Sequence, residues 1–250
     1  MNRVIMVLTT LALLVAPSAA AIGPGPAITV LQLNICHGGM AGCYRGDSVM
    51  VKAAEVIRAS RPQVLSVNEA CSGDIDRLRP AMGPARALFV AARNLDGTAV
   101  MCRGSDQQYG NIIMVATGFA GTTEESGVYA AQYTAADGIG ELRAWACLPA
   151  GRVSACTTHL SSDNRPTALA QCQDLVRRAA GYPRPAIVAG DFNLGSPGMR
   201  DCDPSGFSRW GDGSVQYVYA SADLSLARTV KIDMMGTTDH FGWLVTVDHR

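Results

Sequence analysis

The sequence predicts an α+β chain built in layers rather than a regular alternation of strand and helix. Three observations carry this expectation. Helical patterns are few, and most other apolar segments have the length and the flanking turn residues of short strands. With 250 residues, 48% of them hydrophobic, the chain buries a substantial core, and one large mixed domain accounts for it as well as two smaller ones. No internal repeat or low-complexity tract breaks the sequence into smaller units.

Taken in order, the first segment reads as an export signal. Arg3 precedes an apolar stretch over residues 4–16 and the small-residue run Pro17-Ser18-Ala19-Ala20-Ala21, which predicts a signal peptide over 1–21 with cleavage after Ala21. The stretch is too short for an anchor, so no stable membrane insertion is expected. A single domain over 22–250, secreted, follows. Residues 28–33 form an apolar strand running into Asn34. Residues 47–60 have helical periodicity, stopped by Arg61-Pro62. A strand over 63–67 leads into Asn68-Glu69, and a short helix follows Ser72. Residues 141–148 read as one strand, and 153–158 as another that ends at His159-Leu160. A helix over 164–180 stops at Gly181-Tyr182-Pro183. The apolar run 185–189 delivers Gly190-Asp191-Phe192-Asn193. Residues 215–221 are a further strand, and Asp239-His240 precedes the apolar stretch 241–247.

Eight cysteines, all beyond residue 21, fit an oxidising compartment and an even set of disulfides. One pairing follows from geometry. A turn at Gly151-Arg152 places Pro149 opposite Ser154 and Cys147 opposite Cys156, both in the non-hydrogen-bonded rows, where proline loses no ladder bond and cysteines lie closest. The pairs Cys36 with Cys43, Cys71 with Cys102 and Cys172 with Cys202 rest on proximity in sequence alone.

Polar residues at the ends of buried strands are the chemical signal. An Asp after a strand can hold a water or a metal ion, and Asn two residues on faces the same side and donates to a phosphoryl oxygen. Two of the four histidines, His159 and His240, stand in comparable places. The series Leu33-Asn34-Ile35, Glu69, Tyr109-Gly110-Asn111, Thr158-His159-Leu160, Gly190-Asp191-Phe192-Asn193 and Asp239-His240 resembles, in this order, the motifs of the endonuclease/exonuclease/phosphatase superfamily, the deoxyribonuclease I-like fold.

That resemblance implies a four-layer α/β/β/α sandwich, two mixed central sheets flanked by helices. It also implies a phosphodiester hydrolase needing Mg²⁺, with Mn²⁺ or Ca²⁺ as alternatives. Glu69 would hold the ion, supported by Asn34, with Asp239 orienting its neighbours or approaching the metal. Asp191 would orient or deprotonate the attacking water, and Asn193 and Tyr109 would contact the phosphate. His240 and His159 would share proton transfer and phosphate binding, in either order, since imidazole titrates near neutral pH.

One position departs from the family pattern. The strand before the last motif carries Gln216 where relatives have an Asp that hydrogen-bonds the final histidine, and Asp223 or Asp233 is the alternative source of that carboxylate. Gln216 can accept a hydrogen bond but cannot stabilise an imidazolium by charge. His37 reads as a cleft-mouth or plain loop residue, Arg143 as a surface ion-pair residue that can also meet phosphate, and His249 as a solvated tail.

Composition narrows the substrate little. Removing Arg3 with the signal leaves 20 basic against 21 acidic residues, and no basic run marks a nucleic-acid groove. The leading reading is a secreted nuclease acting on DNA or RNA as a monomer. The alternatives are a phospholipid (sphingomyelin-type) or inositol-phosphate hydrolase on the same fold, and a catalytically weak phosphate-binding protein.

Overall fold

A computed structural model describes residues 25–134 and 140–250; the predicted signal peptide lies outside the described residues. The chain forms β1 (Ile28–Asn34), α1 (Ser48–Ser60), β2 (Val64–Cys71), α2 (Asp74–Met82), β3 (Ala85–Ala91), β4 (Arg93–Asn94) and β5 (Tyr109–Ala116). Then come β6 (Glu125–Val128), β7 (Glu141–Leu142), β8 (Ala144–Leu148), β9 (Ser154–His159), α3 (Arg165–Ala180) and β10 (Ala186–Asp191). It ends with α4 (Ser196–Met199), β11 (Phe207–Gly211), β12 (Gln216–Ser221), β13 (Leu224–Ile232) and β14 (Gly242–His249).

Two six-stranded sheets result, ordered β13-β14-β1-β2-β5-β3 and β11-β12-β10-β9-β8-β6. Each holds one parallel pair, β1 with β2 and β9 with β10, and antiparallel neighbours elsewhere. Alternation along each strand sorts the apolar residues into layers. Val30, Val64 and Ile113 of the first sheet meet Ala155, Ile187, Ala189 and Val218 of the second. The opposite face, Leu31, Leu33, Leu65 and Met114, is covered by α1 through Val49, Ala53 and Ile57. On the other side Val188 and Tyr219 pack under Cys172, Leu175 and Val176 of α3. The expected four-layer sandwich is therefore the observed one.

The helix stops act as read. Arg61 caps α1 in the left-handed region (φ 47°), and the side chain of Asn164 caps α3 by accepting from Thr167 N–H. Two readings need correction. Residues 141–148 are not one strand. Arg143 sits at a break, where Gln132 takes both its N–H and its C=O, so β7 and β8 join different sheets. His249 is no solvated tail: it closes β14 opposite Leu224.

Cys147 faces Cys156 across β8 and β9, with Cα atoms 4.0 Å apart, as the narrow antiparallel rows require. The register predicted from the turn holds, although Ala150 takes the left-handed conformation (φ 64°) in a loop wider than two residues. The other three pairs match the sequence-proximity set, and no cysteine is free among the described residues. Peptide mapping of unreduced protein should recover Cys147 linked to Cys156. The double variant Cys147→Ala/Cys156→Ala should lose about 2–3 kcal/mol in urea unfolding, the loop being short.

Candidate active site

The inner-facing positions of both sheets turn polar at one end. In β1 the apolar inner residue Val30 gives way to Gln32 and Asn34, in β2 Val64 to Ser66 and Asn68, and in β9 Ala155 to Thr157 and His159. Asp191 ends β10 between His159 on one side and Gln216 on the other. Neighbouring registers thus place Asn34, Asn68, His159, Asp191 and Gln216 at one rim, all buried.

Asn68 ties the two sheets together. Its Nδ2 donates to Asn111 Oδ1 (2.9 Å) and to the Thr158 carbonyl (2.8 Å), while its Oδ1 accepts from Gln32 Nε2 (2.7 Å) and from Asp191 N–H (2.8 Å). Every donor and acceptor of this buried amide is satisfied. Asn68 stood in the sequence as a neighbour of Glu69 only.

A bulge aims Glu69. Val67 pairs with Ile112 and Ala70 with Gly110, so Asn68 and Glu69 together oppose Asn111. The extra residue takes φ 56° and brings Glu69 to the same rim as Asn68. Cys36 (φ 48°) and Asn193 (φ 49°) are left-handed at the same place, a concentration of strained backbone that marks functional sites.

Asn34 Nδ2 donates to both Glu69 Oε1 (2.8 Å) and Asp191 Oδ2 (3.1 Å), and its Oδ1 accepts from Cys36 N–H (3.1 Å). Asn34 therefore meets the carboxylates as a donor; coordinating an ion through its oxygen requires the amide to turn over. Burial pushes the Glu69 carboxyl above the usual carboxylate range, against the Asn34 bond that favours the charged form. Burial raises Asp191 too, opposed by the charge of His240 and by the Asn34 bond. Two adjacent carboxyls that lose hydration are a hard-oxygen donor set suited to a divalent cation such as Mg²⁺, which takes one or two carboxylates and completes its shell with water and phosphate.

The rest of the expected set lines a cleft of ≈ 620 Å³ that holds Glu69, Tyr109, Arg143, His159, Asp191, Asn193 and His240. His240 Nε2 stands 3.7 Å from Asp191 Oδ2. His159 is held well below the ordinary imidazole range by burial, then by the charges of Arg143 and His240, so it is neutral at pH 7. Asn193 spends one amide hydrogen on the Leu160 carbonyl (2.8 Å), and its N–H donates to Asp191 Oδ1 (3.0 Å). Burial raises the Tyr109 phenol, which keeps it a neutral donor.

Several residues stand elsewhere than expected. Arg143 is not a surface group: it is buried beside an equally enclosed Glu141 (3.4 Å), and its Nη1 makes no hydrogen bond. Asp239 is 62% exposed, 3.6 Å from the ring of His240, and does not line the cleft. Gln216 does not bond His240. Its Nε2 donates to the Phe241 carbonyl (2.5 Å) and its Oε1 accepts from Gln32 (3.2 Å), so it fixes the backbone beside the histidine. Asp223 pairs with Arg184, and Asp233 accepts from Met235 N–H, so neither supplies the missing carboxylate. His37 lies behind the cleft, bonded to Asp74. Two His/Cys/Asp/Glu groups converge within 4.8 Å, Cys36/Cys43/Glu69 and His37/Cys71/Asp74, but their sulphurs are in disulfides and offer no thiolate.

A two-sheet sandwich with a carboxylate, amide and imidazole cleft at one rim defines the class, and the comparisons name the family. Residues 31–240 match the model of the Endonuclease/Exonuclease/phosphatase family, and the chain belongs to that family. Similar solved structures include an endonuclease/exonuclease/phosphatase family protein from Bacteroides thetaiotaomicron (11% identity, TM-score 0.66, covering 91% of this chain and 99% of that one). TDP2 from Caenorhabditis elegans is 18% identical with TM-score 0.64 over 92% of this chain and 76% of that one. ANGEL2, a 2',3'-cyclic phosphatase in complex with adenosine-2',3'-vanadate, is 11% identical with TM-score 0.66 over 91% and 97%. No curated protein matches the chain.

Two outcomes test the site's energetics. Asn68→Ala strands several buried polar partners and should cost about 2–5 kcal/mol in urea unfolding, each orphan contributing about 1–3. His159 has a folded pKa below its unfolded value, so the unfolded chain takes up a proton that the native state refuses. Stability should fall as pH drops below about 6.5. In metal-free buffer the slope of unfolding free energy between pH 7 and 5 should be shallower for His159→Gln than for wild type.

Proposed function

We propose that the protein is an exported, divalent-metal-dependent phosphodiester hydrolase, with nucleic acid as its first substrate class. The observation that carries this reading is the pair Glu69 and Asp191, buried side by side on one Asn34 amide at the floor of a cleft that also holds Arg143 and His159. Four disulfides in the described residues support an oxidising compartment, and with it export. No helix among the described residues is long and apolar enough to cross a membrane.

A divalent ion such as Mg²⁺, held in that cleft, would supply positive charge to the phosphoryl group as negative charge builds on it. Glu69 is the residue to hold it. Asp191, with its carboxylate fixed by Asn34 Nδ2 and Asn193 N–H, orients the attacking water and accepts its proton. Arg143, whose Nη1 is ion-paired to Glu141 at 3.4 Å but makes no hydrogen bond, offers that group to phosphate in a cleft where water competes poorly. Neutral His159 donates a ring N–H, and His240, more exposed, exchanges protons with solvent at the leaving oxygen.

For a nucleic-acid strand the adjoining depression gives further room. It shares Ser162 and Asn193 with the main cleft and adds Arg165. One observation favours a second substrate reading. Met40, Ala41, Leu95 and Val100 make an apolar wall facing the catalytic groups, which suits a phosphodiester with an apolar substituent, such as a phospholipid.

The deciding experiment incubates the protein and its Glu69→Gln variant with Mg²⁺ and plasmid DNA, RNA, sphingomyelin or inositol phosphates. Wild type should cleave a nucleic acid and stop in excess EDTA, and Glu69→Gln should lose at least about 100-fold in rate, two tenfold steps of about 1.4 kcal/mol each. Hydrolysis that survives EDTA would overturn the metal mechanism. Cleavage of sphingomyelin or inositol phosphate instead of nucleic acid would replace the substrate class.

A further inference from the structure

Beside Glu69 lies a polar and covalent cluster in which His37, Asp74, Cys36 and Cys71 do not themselves line the cleft. Glu69 is not glycine, yet it holds φ 56°. A left-handed non-glycine residue persists only where its surroundings over-determine it. Here the surroundings are the loop after β1. His37 N–H and Gly38 N–H both donate to the Glu69 carbonyl, each at 2.9 Å. Gly38 lies flat on the Tyr109 ring, where a Cβ would come within 2.2 Å of the aromatic carbons.

The same loop is fastened at three more points. Cys36 is bridged to Cys43. Arg103 N–H donates to the Gly38 carbonyl, next to the Cys71–Cys102 bridge. The His37 ring, with its proton on Nδ1, donates to Asp74 Oδ2 at 2.8 Å, and that same oxygen accepts from Cys71 N–H at 2.8 Å. Asp74 is fully buried and its other oxygen has no partner. A buried carboxylate with an orphan oxygen is costly, and a loop that needed only tethering had the disulfides already. What Asp74 adds is a rigid link between His37, which grips the Glu69 carbonyl, and Cys71, two residues past Glu69.

We propose that the His37–Asp74 pair is a positioning device for Glu69, holding the bulge so that its carboxylate faces Asp191, and that it thereby sets the protein's affinity for the divalent ion. The inference rests on the reading of Glu69 as the metal-holding residue. It assigns His37 no contact with substrate or ion. Residues behind metal ligands commonly govern affinity by 10–100-fold, and a carboxylate on a strained bulge is more exposed to that influence than one on a regular strand.

The test measures Mn²⁺ binding by titration calorimetry, without substrate, on wild type, Glu69→Gln, His37→Ala and His37→Asn. His37→Ala should bind Mn²⁺ about 10–100-fold more weakly while keeping its four disulfides and a native near-ultraviolet spectrum. His37→Asn should recover most of the affinity, because its Nδ2 stands at the same bond separation from Cβ as the imidazole Nδ1. If His37→Ala binds like wild type while Glu69→Gln does not bind, the positioning role is wrong and the metal site stands. If wild type and Glu69→Gln bind alike, the metal assignment fails and takes the inference with it. Should His37→Ala not fold, His37→Phe decides, since it keeps a ring in place but removes the donor to Asp74. Wild-type affinity there would overturn the proposal, and weakened affinity would uphold it.

Discussion

One buried side chain amide holds the two halves of this molecule in register. Apolar contact between the sheets is non-directional, so it fixes their separation but not where one strand end stands against another. Asn68 supplies that direction, with one hydrogen bond within its own sheet to β5, one to β1, and two across to β9 and β10. The bond from Asp191 N–H matters most, since it places the strand end carrying Asp191 against the one carrying Glu69. Ser66 repeats the device one pleat deeper, bonding Thr157 Oγ1 (2.7 Å) and the Ala189 carbonyl (3.3 Å). The inner layer is dry and apolar at one end and a satisfied polar network at the other, and the cleft opens where the network ends.

That network explains why the carboxyls of Glu69 and Asp191 stay where hydration is poor. Each has lost water, which raises its affinity for a proton, and each recovers part of the charged form's stability from the Asn34 amide. A dipole shared between two carboxylates does not neutralise them. Arg143 and His240 lie near enough to contribute positive charge, and the divalent cation proposed for the site would add to it. The strained backbone at Cys36, Glu69 and Asn193 belongs to the same economy: the fold carries it where groups must point in directions a regular strand does not offer.

Much of this was legible in the sequence, and the limits are physical. Strand ends were legible because an apolar run that stops at a polar residue is a local signal, which picked out Asn34, His159 and Asp191. Helix ends were legible because Pro62 and Asn164 act locally, and the Cys147–Cys156 pair because hairpin register is local. What escaped depends on contacts between segments far apart in sequence. Two polar residues in succession, Asn68 and Glu69, are the trace of a bulge, but a strand crossing its own alternation leaves the same trace. Arg143 breaks its strand because Gln132 competes for its backbone, and nothing near Arg143 signals this. Its burial against Glu141 was likewise invisible, because an Arg and a Glu two apart on a strand are most often a solvated pair.

The neutral residue at 216 follows from the same charge balance. Gln216 stands directly opposite Asp191 in the antiparallel ladder, with Glu69 on the far side of the Asn34 amide. A carboxylate at 216 would face a like charge in the next strand, in a place where screening is weak. It would also turn a second acceptor on the Phe241 carbonyl, which now receives the Gln216 amide, and so loosen the backbone beside His240. Gln216 avoids both costs. It donates forward to Phe241 and accepts from Gln32, which itself donates to Asn68. The chain of amides from Gln216 through Gln32 to Asn68 therefore sets the position of His240 by hydrogen bonds, with no carboxylate behind it. Among the described residues, the carboxylates within 4 Å of the His240 ring are those of Asp191 and Asp239. A carboxylate at 216 is thus not needed to hold the last histidine: the Gln216 bond to the Phe241 carbonyl fixes the backbone beside it, and its ring stands 3.7 Å from the Asp191 carboxylate.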